Sequence, residues 1–260
     1  MPPRSFAVAL LTVTLLAGTA GPVLAQDPFE LEVFTPRIAS PGEWELGINT
    51  NYVARGNTAF DGPFAPTEHQ TRLSAELGHG LTRNVEVAAY ALLGKLEGGS
   101  VDWAGWRLRT RVRAPESWSF PVKVAVNVEL EATNTLYGEH KHALEIAPML
   151  YWSRGPVALA FDAPFARALG GGGKQEFEFE PKMSASLGVS RVLTLSTEYY
   201  NSPEDAGGTG TEQARRQMLI PGATFLFGDD FHWNIGVGFG LSRTTDDLVL
   251  KTGVEFPLHE

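Results

Sequence analysis

The chain has 260 residues, 43% of them hydrophobic and 20% charged, with a formal charge of −9 and a pI of about 5.2. It contains no cysteine, which excludes a disulfide framework, a thiolate metal site and a lipoprotein anchor. The acidic balance argues against nucleic acid as a partner, because such binders carry a basic field.

Residues 1–25 place Arg4 ahead of an apolar run from Phe6 to Ala17 and end on Val23-Leu24-Ala25. The run is too short to span a bilayer and the ending is a small-residue cleavage pattern, so 1–25 reads as a signal peptide. Residues 26–42, which include "DPFELEVFTPRIASPG", read as a short periplasmic leader that either tucks into the periplasmic mouth or simply leads to the first strand. From there to the end (43–260) nearly every segment alternates between apolar and polar residues. No later stretch is long and apolar enough for a transmembrane helix, so an exported chain that enters a membrane must do so as a closed β-barrel.

The alternation predicts twelve strands. "EWELGINTNYVA" places Trp44, Leu46, Ile48 and Tyr52 on one face, and "TRLSAEL" sets Leu73 and Leu77 against Arg72, Ser74 and Glu76. "VEVAAYALL" follows, then "RLRTRVR", in which Arg107, Arg109, Arg111 and Arg113 share one face and Leu108, Thr110 and Val112 the other. "VKVAVNVELEA" opposes Val124, Val126, Val128 and Leu130 to Lys123, Asn127, Glu129 and Glu131. "LEIAPMLYW", "VALAFDAPF" and "EFEFEPKMSASL" come next, the last with Glu176, Glu178, Glu180 and Lys182 on its polar face. "LTLSTEYY", "MLIPGATFLF" (apolar on both faces, its orientation open), "FHWNIGVGFGL" and "LVLKTGVEF" complete the set. Tight turns such as "SRGP" and "GDD" alternate with longer polar loops, the pattern of an up-and-down transmembrane barrel with both ends in the periplasm. A secreted β-sandwich binding protein also alternates, but its strands are shorter. Trp44, Tyr52, Trp106, Trp152, Tyr199, Phe227, Phe231, Trp233 and Phe256 fall near predicted strand ends and form the expected aromatic girdles at the lipid boundary.

In such a barrel the polar face lines the lumen. The hairpin register sets Arg107 and Arg109 opposite Glu129 and Glu131, with Glu86 on the other side, within reach of Arg111. Inward acids slightly outnumber inward bases, so a paired, mixed lumen is favoured over an anion track. Tyr90, Leu92, Met149, Tyr151, Tyr200, Met218 and Ile220 also point inward, as packing or as the lining of an apolar route. On this facing an arginine replacing inward Asn127 is milder than one replacing outward Val126.

Catalytic and cofactor signatures are missing. Gly170–Gln175 lacks the first glycine and the final Ser/Thr of a phosphate loop, and "GVSRV" lacks the closing glycine of a nucleophile elbow. His140 and His142 share a face without a third metal ligand. The expectation is therefore a non-enzymatic barrel with no cofactor and no metal. Its partners would be outer-membrane lipid, the barrel-assembly machinery and a small-molecule solute. Passive conduction of that solute is expected, with a non-conducting structural or binding barrel as the alternative.

"FELEVFTPRIASPGEWELGINTNYV", the repeated strand–turn pattern and the closing "DDLVLKTGVEF" resemble the bacterial outer-membrane barrels grouped under the MetA pathway of phenol degradation. The resemblance implies passage of small aromatic or hydrophobic compounds and brings no residue-level site. The tail "PLHE" after Phe256 departs from barrels that end on the aromatic read by the assembly machinery. Export itself is testable: the intact mass of membrane-extracted protein should correspond to a chain beginning at Gln26.

Overall fold

A computed structural model describes residues 29–61, 63–138, 141–170, 177–204, 214–228 and 230–258. Its strands are β1 (Trp44–Arg55), β2 (Thr71–Thr82), β3 (Val85–Lys95), β4 (Val101–Arg113), β5 (Lys123–Thr133), β6 (His142–Arg154) and β7 (Val157–Asp162). They continue with β8 (Phe165–Ala168), β9 (Glu178–Phe179), β10 (Lys182–Gly188), β11 (Leu193–Glu204), β12 (Ala214–Phe227), β13 (Phe231–Gly240) and β14 (Leu248–Leu258). Neighbours pair antiparallel around the ring, β1 joins β14, and the β5–β6 pairing closes it. Closure leaves the hydrocarbon region without an open sheet edge, which a bilayer demands.

Fourteen segments make twelve crossings. β7 and β8 form one crossing, interrupted at Ala163-Pro164, and β9 and β10 form the next, interrupted at Glu180-Pro181. Proline has no N–H to give the ladder. Single hydrogen bonds carry the sheet across the breaks, from Ala163 N to Pro148 O (2.9 Å), Glu180 N to Pro164 O (3.0 Å) and Asn201 N to Pro181 O (3.1 Å). Beyond the last of these, among the described residues, β9 pairs with β8 alone and Ser202–Glu204 pair with β12 alone. Among the described residues the loop-side half of the wall therefore has a seam, between β9 and the end of β11, that no strand ladder crosses.

The alternation sets the facing as read from the sequence. Leu108, Val112, Val128, Leu130 and Leu150 are exposed toward lipid, while Arg107, Arg109, Arg111, Glu86 and Glu129 are buried inside. The ambiguous strand β12 resolves with Met218 and Ile220 inward. Turn-end aromatics cluster outside: Phe231 stacks on Phe256 (5.7 Å) and Trp233 lies 5.5 Å from Phe225. Trp44 stacks on His79 at the start of β1 (4.2 Å). Tyr52 sits toward the loop end of β1 and Trp152 near the turn end of β6, whereas Trp106 and Tyr199 face lipid nearer mid-strand.

One expectation about the lumen fails. Asn127 is fully buried, accepting from Arg111 Nε (2.8 Å) and donating to Glu129 Oε1 (3.2 Å). An arginine there would meet another cation in a filled interior, so the inward position is not the milder one. Outside, Val126→Arg should cost about 2–4 kcal/mol, the penalty of a mid-bilayer cation on the lipid face. Val126→Thr should be close to neutral by comparison, with urea titration in detergent micelles as the measurement.

Candidate functional site

Inside the barrel lies the leader. It goes in past the mouth: Phe29, Glu30, Leu31, Val33, Phe34 and Ala39 are all buried, and their partners come from opposite walls. The chain enters beside β2, where Pro41 bridges Gly80 and Gly42 N donates to Gly80 O (2.8 Å). A Cβ on Gly80 would sit 2.1 Å from the carbonyl oxygen of Ser40, so only glycine admits the chain there. Arg37 then ties the leader to the mouth through Glu45 (2.7 Å) and Glu255 (2.8 Å).

Further in, five barrel side chains grip the leader's backbone. Phe34 N donates to Asp162 Oδ2 (2.7 Å) and Ala39 N to Glu86 Oε2 (2.7 Å). Arg111 Nη1 donates to the Arg37 carbonyl (3.0 Å), Lys251 Nζ to that of Leu31 (2.7 Å) and Asn51 Nδ2 to that of Phe29 (3.2 Å). These bonds satisfy polar groups of a segment that, apart from the Pro41 bridge, pairs with no strand among the described residues.

The leader's side chains sort by chemistry. Leu31 and Val33 pack on Val53, Ala160, Tyr200, Met218, Ile220 and Val249. Phe29 packs on Ala88, Tyr90, Leu92, Ala104 and Tyr137, and Phe34 on Ala125 and Met149. The inward apolar residues of the sequence are thus packing partners of the leader; partly buried Tyr151 joins the first group.

The arginine face meets the leader's other side. Arg107 holds Glu30 (2.8 Å) and Glu131 (2.6 Å), with Glu129 at 3.6 Å. Arg109 binds Glu76 and Tyr90 at short range and Glu86 at 3.0 Å. Glu86 lies opposite Arg111 in backbone register, yet it is Arg109 that reaches its carboxylate. Arg113, at the mouth, hydrogen-bonds the Arg83 carbonyl (2.8 Å) and exposed Glu116 (3.2 Å).

Of the other charged positions, Glu178, Glu180 and Lys182 are buried inward, Lys123 is exposed at the turn end, and Glu176 lies outside the described residues. His140 does too, and His142 is exposed at the start of β6. Lys251 pairs with Glu198 (2.6 Å), which also accepts from Tyr200 (2.6 Å). Sequence reading did not assign roles to Glu30, Phe34 or Asp162. The "FELEVF" alternation carried the first two, while nothing local marked Asp162.

Beyond the leader a vestibule of about 570 Å³ opens toward the long loops. Leu31 forms part of its floor, and Arg72, Glu131, Glu145, Ala166, Glu180, Arg216 and Met218 are among its walls. Phe64, Leu136 and Tyr137 come from the loops. At the rim, His69 binds Glu97 (2.7 Å), a hydrogen bond that raises its imidazole pKa above the usual value.

The chain shares its fold with solved outer-membrane barrels. The chain is similar to the COG4313 outer membrane channel from Pseudomonas putida F1 (TM-score 0.58, 13% identity, 88% of this chain and 100% of that one). It is similar also to the NanC porin (TM-score 0.53, 9% identity, 82% and 100%). The KdgM porin in complex with disordered oligogalacturonate matches at TM-score 0.52 and 9% identity, covering 83% and 99%. These likenesses are of fold, and they agree with a closed barrel in the cell outer membrane. No family model and no curated protein matches the chain.

The burial of the arginines sets a contrast in stability. Arg109→Ala strands Glu76 and Glu86 inside and should cost about 3–5 kcal/mol, the range for removing one partner of a buried pair. Arg113→Ala, at the wet mouth, should cost less than about 1 kcal/mol. The temperature at which heat-modified gel mobility changes is the readout.

Proposed function

We propose that this protein is a passive outer-membrane route for small solutes, with small hydrophobic or aromatic compounds as its cargo. The observation that carries the reading is the leader: it occupies the barrel axis and leaves a vestibule on the loop side, in contact with apolar and charged walls alike. A wide aqueous pore for hydrophilic solutes needs a free axis. The vestibule shares Ala166, Glu180 and Met218 with the region around the unladdered seam, where Phe165, Phe177 and Phe179 face lipid. An apolar solute gathered in the outer leaflet has a short path to the vestibule there. The phenol-pathway resemblance supports the same cargo.

The alternative, a non-conducting binding or structural barrel, draws on the tight grip of the leader. The two separate in cells that lack their own porins. Expression should speed phenol uptake well above the empty-vector rate while glucose uptake barely changes. Single-channel conductance of the purified protein should be small and weakly cation-preferring, as the lumen's excess of acids dictates. Phenol uptake at the vector rate would leave the binding barrel standing, and equal gains for phenol and glucose would point to a general porin.

A further inference from the structure

Phe34 lies between two guanidinium groups. Its ring centroid is 5.1 Å from Arg109 Cζ and 4.7 Å from Arg111 Cζ, and both arginines are more than nine-tenths buried. Each keeps one nitrogen, Arg109 Nε and Arg111 Nη2, without a hydrogen-bond acceptor among the described residues. Arg109 is already paired to Glu76 and Glu86. Arg111 has no ion pair among the described residues; Asn127 Oδ1 and the Arg37 carbonyl hold it instead. Glu32, Glu76 and Asp162 act on Arg111 through space without touching it, so its charge is balanced only at a distance and its fork has no carboxylate in contact. Its planar fork is matched best by a carboxylate, and its face by an aromatic ring. One step along the row, Arg107 holds the carboxylate of Glu30. The leader therefore offers the arginine row a ring and a carboxylate, the two groups that its chemistry selects.

We propose that the arginine row is a binding site for small aromatic carboxylates, and that Phe34 and Glu30 of the leader fill it as built-in stand-ins. The ligand's ring takes the place of Phe34 beside Arg109 and Arg111, and its carboxylate supplies the missing acceptors and the direct carboxylate contact that Arg111 lacks. The idea goes beyond the channel reading in one respect: it requires that the leader can be displaced from the lumen. Neutral aromatics would gain the ring contacts alone, and simple carboxylates the charge alone.

The test uses the full chain in detergent, with phenylacetate as the probe. Because the chain has no cysteine, Val33→Cys places a single thiol beside Phe34, and a water-soluble maleimide reports when the leader leaves. Phenylacetate should accelerate labelling by about tenfold, equivalent to ~1.4 kcal/mol of preference for the displaced state. Benzyl alcohol and acetate should leave the rate unchanged, and adding Arg111→Gln should abolish the phenylacetate response while heat-modifiability persists. In a second variant, Phe34→Ala, the ring's place is vacated. Calorimetry should show phenylacetate binding to it about tenfold more tightly than to the wild type, the gain from removing a competitor. Labelling indifferent to phenylacetate, or answered equally by benzyl alcohol, overturns the proposal, as does a Phe34→Ala protein that binds no phenylacetate. These are equilibrium readings, so failed phenol uptake with intact phenylacetate binding sinks the channel reading and leaves the site standing.

Discussion

The pairing of the buried arginine row with the leader is the contact on which the interior is arranged. Arg107, Arg109 and Arg111 are too enclosed to stay charged at low cost without partners. Acids from β2, β3 and β5 and one from the leader answer the first two, while Asn127, a leader carbonyl and the face of Phe34 cover the third. Remove the leader and the row loses a carboxylate, a carbonyl and an aromatic face together. The lumen is a fitted sleeve and not a wide channel.

Apolar packing completes the fit from the other side. Lipid tails give the outer face no hydrophobic drive toward a unique structure, because the exterior is as apolar as the residues themselves. The interior still has that drive wherever it would otherwise be wet. Leu31 and Val33 bury against β1, β7, β11, β12 and β14, and the small residues of β13 make room for two of their partners: a Cβ on Gly236 would meet Ile220, and one on Gly238 would meet Met218. The barrel thus folds around a strand-like guest that is part of its own chain.

The wall differs in stiffness around its circumference. β1–β5 and β11–β14 are continuous strands whose ladders shift register at Val53/Arg55, Gly80/Thr82 and Leu92/Leu93 and skip Ile220 and Pro221 of β12. By contrast, β7–β10 are cut into short strands by prolines and joined across the cuts by single hydrogen bonds. Asp162, which accepts the Phe34 amide, sits immediately before the first of these breaks. Leader and weakened wall are thereby in direct contact, with the vestibule above both.

The sequence by itself determined the barrel. A two-residue period over some ten residues, repeated twelve times with turns and loops alternating, has one arrangement in a membrane, since side-chain direction follows from backbone pleat and closure follows from the need to pair every N–H. It likewise determined which residues face inward and that Arg107 and Arg109 stand opposite Glu131 and Glu129, because hairpin register is local. Tertiary structure alone decided what those inward residues touch. Glu30 and Arg107 are far apart in the chain, and Phe34 and Asp162 farther still. No periodicity links such pairs; they meet because a closed ring brings distant strands around one narrow axis. The broken strands, too, needed the fold: Pro164 and Pro181 were visible as letters, but only the neighbouring ladder shows which hydrogen bonds they remove.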